Sequence, residues 1–171
     1  MSVFGSGVRE ASNEEGDGGN QVLTGKATPA EAFKALAMAA SASTGSSLGT
    51  LAMTALMNLG KGAADKPSIE IGELAAMLDA AMETVLKRGG AKLGDKTVVD
   101  SLAAVIEALR GASESAAAKA AASAAAQRAL AIFRDQPSRI GRAGRYGDKS
   151  RGLDDPGMLA FAILCDSLAS D

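Results

Sequence analysis

The residues best suited to chemistry lie between Arg134 and Arg151, where Arg134, Arg139, Arg142, Arg145, Lys149 and Arg151 face only Asp135 and Asp148. Six positive and two negative side chains concentrate cationic charge in one stretch of a chain whose net charge is −2. Guanidinium and ammonium groups donate charge-assisted hydrogen bonds to phosphate oxygens, arginine through a planar fork. Two other stretches suit the same ligand. In Thr44-Gly45-Ser46-Ser47 a glycine allows backbone N–H groups to approach an anion, and the serines open a helix whose N-terminus carries partial positive charge. Around Gly94, Asp95 and Thr97 a second helix begins; Thr97 can donate a hydrogen bond and Asp95 can ligate magnesium. Each feature also has an ordinary reading. The glycine-serine stretch is a plain turn, Asp95 is an N-cap, and the basic stretch is a solvated face or a patch for an acidic partner.

Composition removes several alternatives. There is no histidine and one cysteine, Cys165, so zinc sites, histidine-dependent catalysis and an intramolecular disulfide are excluded. A slightly acidic chain has no global attraction for nucleic acid or anionic membranes. No apolar run approaches the length of a membrane span and no secretory leader is visible, so the expected location is the cytoplasm. Five aromatic residues in 171 leave the core to Ala, Leu, Val, Ile and Met, which favours closely packed helices.

The elements that must position the anion-binding residues read as helices throughout. Residues Met1 to Lys26, rich in Gly, Ser, Asn and Glu, are expected to form a mobile arm. Residues 27–171 are expected to form one helical domain. Thr28, Pro29 and Glu31 spell an N-cap, a first-turn proline and a capping box, opening a helix that runs to about Ser43. After the Thr44–Ser47 break a second helix carries Leu51, Met53, Leu56 and Leu59 and ends at Gly60 to Gly62. Ser68 is a candidate cap for a third, with Ile71, Leu74, Leu78, Met82 and Val85 at helical spacing, closed by Gly89 and Gly90. A fourth runs through Val98, Leu102, Val105, Ile106 and Leu109 to Gly111. Ser113 to about Phe133 is a plain alanine-rich helix, able to pack tightly or merely to be a good helix former. The stretch Arg134–Asp154 shows no helical period, and a loop of that length inside a domain is usually functional or disordered. Asp155-Pro156 opens the last helix, through Leu159, Phe161, Ile163, Leu164 and Leu168. If consecutive helices run up and down, the loops at Thr44–Ser47, Gly89–Lys96 and Arg134–Asp154 fall at one end and share a rim.

Three of these stretches resemble the signatures of the nucleotide-binding L subunit of bacterial dihydroxyacetone kinase, the Dak2 domain. Lys92-Leu93-Gly94-Asp95-Lys96-Thr97-Val98-Val99-Asp100 is similar to K-P-G-D-K-T-M-x-D. Gly141-Arg142-Ala143-Gly144-Arg145-Tyr146-Gly147-Asp148-Lys149-Ser150, followed by Gly152-Leu153-Asp154-Asp155-Pro156-Gly157, is similar to G-R-A-S-Y-L-G-E-R-S and G-H-Q-D-P-G. Ser43-Thr44-Gly45-Ser46-Ser47-Leu48-Gly49 is similar to S-V-G-G-A-S-G, and the resemblance covers roughly Val22 to Leu168. It implies an all-α antiparallel bundle, closed like a barrel, binding ADP or ATP with magnesium across its top. Thr44, Gly45, Ser46 and Ser47 would cradle phosphates; Gly94, Asp95, Thr97, Asp155, Pro156 and Gly157 would line the pocket; Arg142 and Lys149 fall on basic positions of the family.

The resemblance also implies a function and partners. The nucleotide's phosphoryl group passes to a small keto sugar held by a K-type subunit, and in one branch a phosphotransferase-system protein recharges the bound ADP. The family's metal signature, D-x4-G-D-x-D-H-G-x-N, is only partly present. Asp17 keeps a matching position as a metal ligand, whereas Ser12 and Gly19 replace the other two aspartates and Asn20 the histidine. No catalytic residue is assigned from the sequence. The expected function is therefore a phosphotransferase subunit of the glycerone kinase type. The alternative is a catalytically degenerate module that docks a partner protein or regulator, and a purely structural helical protein or homo-oligomer is the third reading. No nucleic acid or membrane partner is expected.

Overall fold

The computed structural model describes residues 27–43 and 47–170. Among them the secondary structure is all helical: α1 Pro29–Ser43, α2 Ser47–Gly62, α3 Ile71–Gly89, α4 Val98–Arg110, α5 Ser115–Phe133, the single turn α6 Gly141–Gly144, a 3-10 turn Gly147–Ser150, and α7 Pro156–Ala169. The chain divides into two compact units, one up to Glu70 and one from Ile71 onward.

In the first unit α1 packs on α2. The capping box that opens α1 forms as its sequence requires. The Thr28 backbone N–H donates to the Glu31 carboxylate at 2.8 Å, and the Glu31 N–H donates to the Thr28 hydroxyl at 3.3 Å. The Thr28 N–H, together with the Thr28 hydroxyl donating to the same carboxylate oxygen at 2.9 Å, holds the Glu31 carboxyl below the usual range.

The second unit is built from α3, α4, α5 and α7, with α4 packed against both α3 and α5, and α7 against α5 and α4. Its core joins Ala75 of α3, Val105 and Leu109 of α4, Ala118, Ala125, Ala126, Ala129 and Leu130 of α5, and Met158, Ala162 and Cys165 of α7. Burial among apolar atoms raises the Cys165 thiol to about 11, which leaves it an inert packing group. The alanine-rich helix is thus a packing element. Its buried alanines recur one and two turns apart on a single stripe, and small side chains let α5 approach two neighbours at once.

Three boundaries differ from the sequence expectation. The third helix begins at Ile71, beyond Ser68, and the fifth begins at Ser115 after Glu114, which makes no side-chain cap. The stretch after Phe133 also holds more structure than its absent period suggests. Gly141 (φ 71°) and Gly147 (φ 48°) adopt left-handed backbone that starts and separates two single-turn elements. Elements of four residues are too short to show a 3.6-residue repeat.

Candidate functional site

The second unit brings two of the expected loops together. After α3 the chain makes a turn in which the Lys92 N–H donates to the Asp95 carboxylate at 2.7 Å, so Asp95 closes this turn and Thr97 is the helix cap. Asp100, 5% exposed, accepts from the Gly94 N–H at 2.6 Å and from the Thr97 N–H at 2.8 Å, completing a capping box at the start of α4. The backbone there is unusual: Gly94 has φ 94° and Lys96, not a glycine, has φ 62°.

Lys96 joins this turn to the basic stretch. Its ammonium is buried and donates to the carbonyls of Arg134, Gln136 and Ser150, each at 2.9 Å. Desolvation lowers its pKa, opposed chiefly by the Asp155 carboxylate. The Arg139 N–H donates to the Asp95 carbonyl at 3.1 Å, and the Gly152 N–H to the Arg134 carbonyl at 2.9 Å. The Ser150 hydroxyl accepts from the Ser138 N–H and donates to the Gly147 carbonyl. Gly144 has no room for a side chain, because a Cβ there would lie 2.9 Å from the Arg139 carbonyl carbon.

These ties divide the six cations of the stretch into two groups. Arg134 forms a forked pair with Asp154, at 2.8 and 2.7 Å, and Arg151 bonds Asp148 and the Asp135 carbonyl. Both are engaged in holding the loop. Arg139, Arg142, Arg145 and Lys149 are exposed, and among the described residues their side chains make no ion pair or hydrogen bond. Arg142 and Lys149 lie on the wall of a concavity of about 300 Å³ that also involves Ser138, Ala143, Tyr146, Ser150, Leu153, Asp154 and Pro156. Its wall is mainly apolar, with exposed Tyr146 (68%) and Leu153 (62%) beside the cations. Such a surface offers flat apolar contact together with charge for an anion. A larger depression of about 540 Å³ in the first unit is lined by Thr28, Ala30, Ala64, Asp65, Lys66 and Pro67. One lysine against one aspartate gives it no net charge, so it suits an anion less well.

Of the residues expected from sequence, Arg142, Lys149 and Pro156 line the concavity, whereas Gly94 and Asp95 stand in the turn before α4, Thr97 and Asp155 cap α4 and α7, and Gly157 lies in the first turn of α7. Thr44, Gly45 and Ser46 lie outside the described residues, and Ser47 begins α2. Asp17 also lies outside them. Among the described residues no three acidic or cysteine side chains gather as a ligand set. No helix among them is long and apolar enough to cross a membrane. Sequence reasoning passed over Lys96, Asp100, Ser138 and the Arg134–Asp154 pair. Asp100 had a signal, since Thr97 and Asp100 stand three apart at a helix start as capping-box residues do.

Asp155 caps α7 with one oxygen, Oδ1, which accepts from the Gly157 and Met158 N–H groups at 2.9 and 3.0 Å. Burial raises its pKa above the ordinary aspartate value, against those two bonds and the Lys96 charge, which lower it. A carboxyl whose folded pKa is raised contributes stability below its unfolded pKa, and that contribution is lost as pH rises through the folded value. Asp155→Asn keeps an acceptor and removes the charge. It should therefore leave the thermal midpoint at neutral pH unchanged or higher, and flatten the pH dependence just above the ordinary aspartate range. Asp155→Ala should cost about 1 kcal/mol. Melts of both variants across pH test this, and an Asn variant as unstable as the Ala variant would contradict it.

The amino-acid sequence is similar to those of known proteins. The DAK2 domain profile matches residues 5–170. The ADP-binding subunit DhaL of a PEP-dependent dihydroxyacetone kinase from Listeria innocua is 31% identical over 134 residues, covering 78% of this chain and 64% of that protein. The ADP-binding subunit DhaL of a PTS-dependent dihydroxyacetone kinase from Lactococcus lactis is 30% identical, covering 81% and 66%. An L-erythrulose 1-kinase from Mycolicibacterium smegmatis is 37% identical over 91 residues, covering 52% of this chain and 16% of that protein. The chain spans less than two thirds of the length of each of these relatives. With residues 5–170 inside one matched profile, the chain belongs to the DAK2 domain family.

Proposed function

We propose that this chain is a nucleotide-binding, L-type subunit of a dihydroxyacetone-kinase-like system, holding ADP or ATP at the concavity beside Arg142 and Lys149. One observation carries the reading. Two of the six cations are engaged in building the loop, whereas Arg142 and Lys149 make no ion pair or hydrogen bond among the described residues and lie on the wall of a mainly apolar concavity. The nucleotide, when bound, supplies the phosphoryl group. Transfer of such a group is limited by positioning and by neutralising charge spread over its oxygens. Arg142 offers a planar fork and Lys149 a mobile point charge for those oxygens. Tyr146, Leu153 and Pro156 offer apolar contact for the rest of the ligand. The acceptor is a small keto sugar held by a K-type partner, and a phosphotransferase-system protein is a candidate for recharging bound ADP.

Calorimetric titration with ADP and ATP, with and without magnesium, tests this reading. Saturable binding of either nucleotide at micromolar to sub-millimolar concentration is the expected result. Absence of heat under every condition would remove nucleotide binding. A second reading is a degenerate module that docks a partner protein, favoured by Arg139 and Arg145, which are unpaired among the described residues yet stand outside the concavity wall. Turnover of dihydroxyacetone in the presence of a K-type subunit would set that reading aside.

A further inference from the structure

Lys96 stands in an environment that free lysines do not occupy. It is 1% exposed, and its three ammonium hydrogens meet three backbone carbonyls at 2.9 Å, with no carboxylate among the described residues in hydrogen-bonding contact. The carbonyls come from both feet of one loop. Arg134 and Gln136 stand where the chain leaves α5, and Ser150 stands where the 3-10 turn ends. Between those feet lie Arg139, Arg142, Arg145 and Lys149. Three carbonyl dipoles converging on a point repel one another unless a cation sits between them. The backbone of Lys96 is held left-handed, a conformation that costs a non-glycine residue about 1 kcal/mol or more and persists only where surroundings enforce it.

We propose that Lys96 is a tethered cation that closes the loop 134–150, and thereby a positioning residue for the ligand held by Arg142 and Lys149. The ligand half of this inference rests on the proposed nucleotide reading; the cage itself does not. It follows that the cage is a monovalent-cation site which the lysine side chain occupies permanently. Removing the side chain, as in Lys96→Ala, opens space for a free ammonium ion. Lys96→Met keeps the stem, fills that space and leaves the carbonyls without a cation.

The test compares both variants of the full chain in ammonium chloride and in tetramethylammonium chloride at equal ionic strength, reading thermal midpoint and ADP affinity. Both variants should melt several degrees below the parent in tetramethylammonium, as expected for three carbonyls losing a charged donor. Ammonium should restore at least half of that loss in Lys96→Ala and little in Lys96→Met. ADP affinity should fall by about tenfold in Lys96→Ala, the equivalent of one charge-assisted contact, and return with ammonium. Val105→Ala, a core truncation in α4, should lower the midpoint without changing ADP affinity, which separates positioning from general loosening. If Lys96→Ala is unfolded, refolding in ammonium but not in tetramethylammonium supports the cage. Equal behaviour in the two salts, folded or unfolded, overturns it. If the parent chain binds no ADP, the nucleotide reading fails, while the salt-dependent midpoint still decides the cage.

Discussion

Replacing Arg142 and Lys149 together by alanine is expected to weaken ADP binding by about 100-fold while leaving the thermal midpoint close to that of the parent. Both side chains are exposed and make no ion pair or hydrogen bond among the described residues, so their removal takes little from the fold. A hydrogen bond between two ionised groups contributes about 1.5–3 kcal/mol when well placed. Solvent exposure of both cations reduces that to about 1.4 kcal/mol each, which is tenfold per side chain and about 100-fold for the pair if they act independently. Two controls sharpen the result. Arg134→Ala removes a cation from the same stretch, but one engaged with Asp154, and should show as lost stability of the loop more than as a direct charge effect. Raising salt from low to physiological strength should weaken the parent and leave the double variant nearly unaffected, because screening acts on the cations that the variant lacks. Calorimetry reads all three quantities. Unchanged ADP affinity in the double variant would place the nucleotide elsewhere, and a large fall in midpoint would mean that these cations serve the fold.

The parts of this molecule that are legible in the sequence are those governed by short-range rules. Thr28 with Glu31, and Asp155 with Pro156, announce helix starts through bonds spanning two or three residues, and both form. The apolar period places α3 and α4 within a turn, and the three motifs in order suffice for the family. What is not legible depends on distant partners. Lys96 meets carbonyls 38 to 54 positions away, and a carbonyl is carried by every residue, so no side-chain pattern marks the site. The division of the basic stretch is hidden for the same reason. Arg134 and Arg142 look alike until Asp154, twenty positions from Arg134, is seen to engage one of them. The alanine stripe of α5 is ambiguous because alanine favours a helix whether or not it is buried, and only the packing of α4 and α7 decides which.

Asp100→Ala is expected to be the most destabilising single substitution at the site, costing about 3–5 kcal/mol. The carboxylate is buried and uses both oxygens. Oδ1 accepts the Gly94 N–H, and Oδ2 accepts the Thr97 N–H and faces the Thr97 hydroxyl. Truncation leaves two backbone donors without partners at about 1–3 kcal/mol each, and removes a negative charge from the positive end of α4 at about 0.3–1 kcal/mol. Asp100→Asn should be nearly as damaging, because an amide can present only one acceptor. Its nitrogen would face the Gly94 N–H or the Thr97 N–H, donor against donor. Asp155 gives the contrasting case, since its cap uses Oδ1 alone and asparagine can satisfy it. The consequences of losing Asp100 extend beyond α4. The bonds from Gly94 and Thr97 hold the turn in which Lys96 is left-handed, so freeing them releases the ammonium from its three carbonyls and slackens the basic loop. Urea melts of the Ala and Asn variants at both positions check the contrast. An Asn variant at 100 as stable as the parent would mean that the second oxygen carries no weight, and that the turn is held from the Lys96 side.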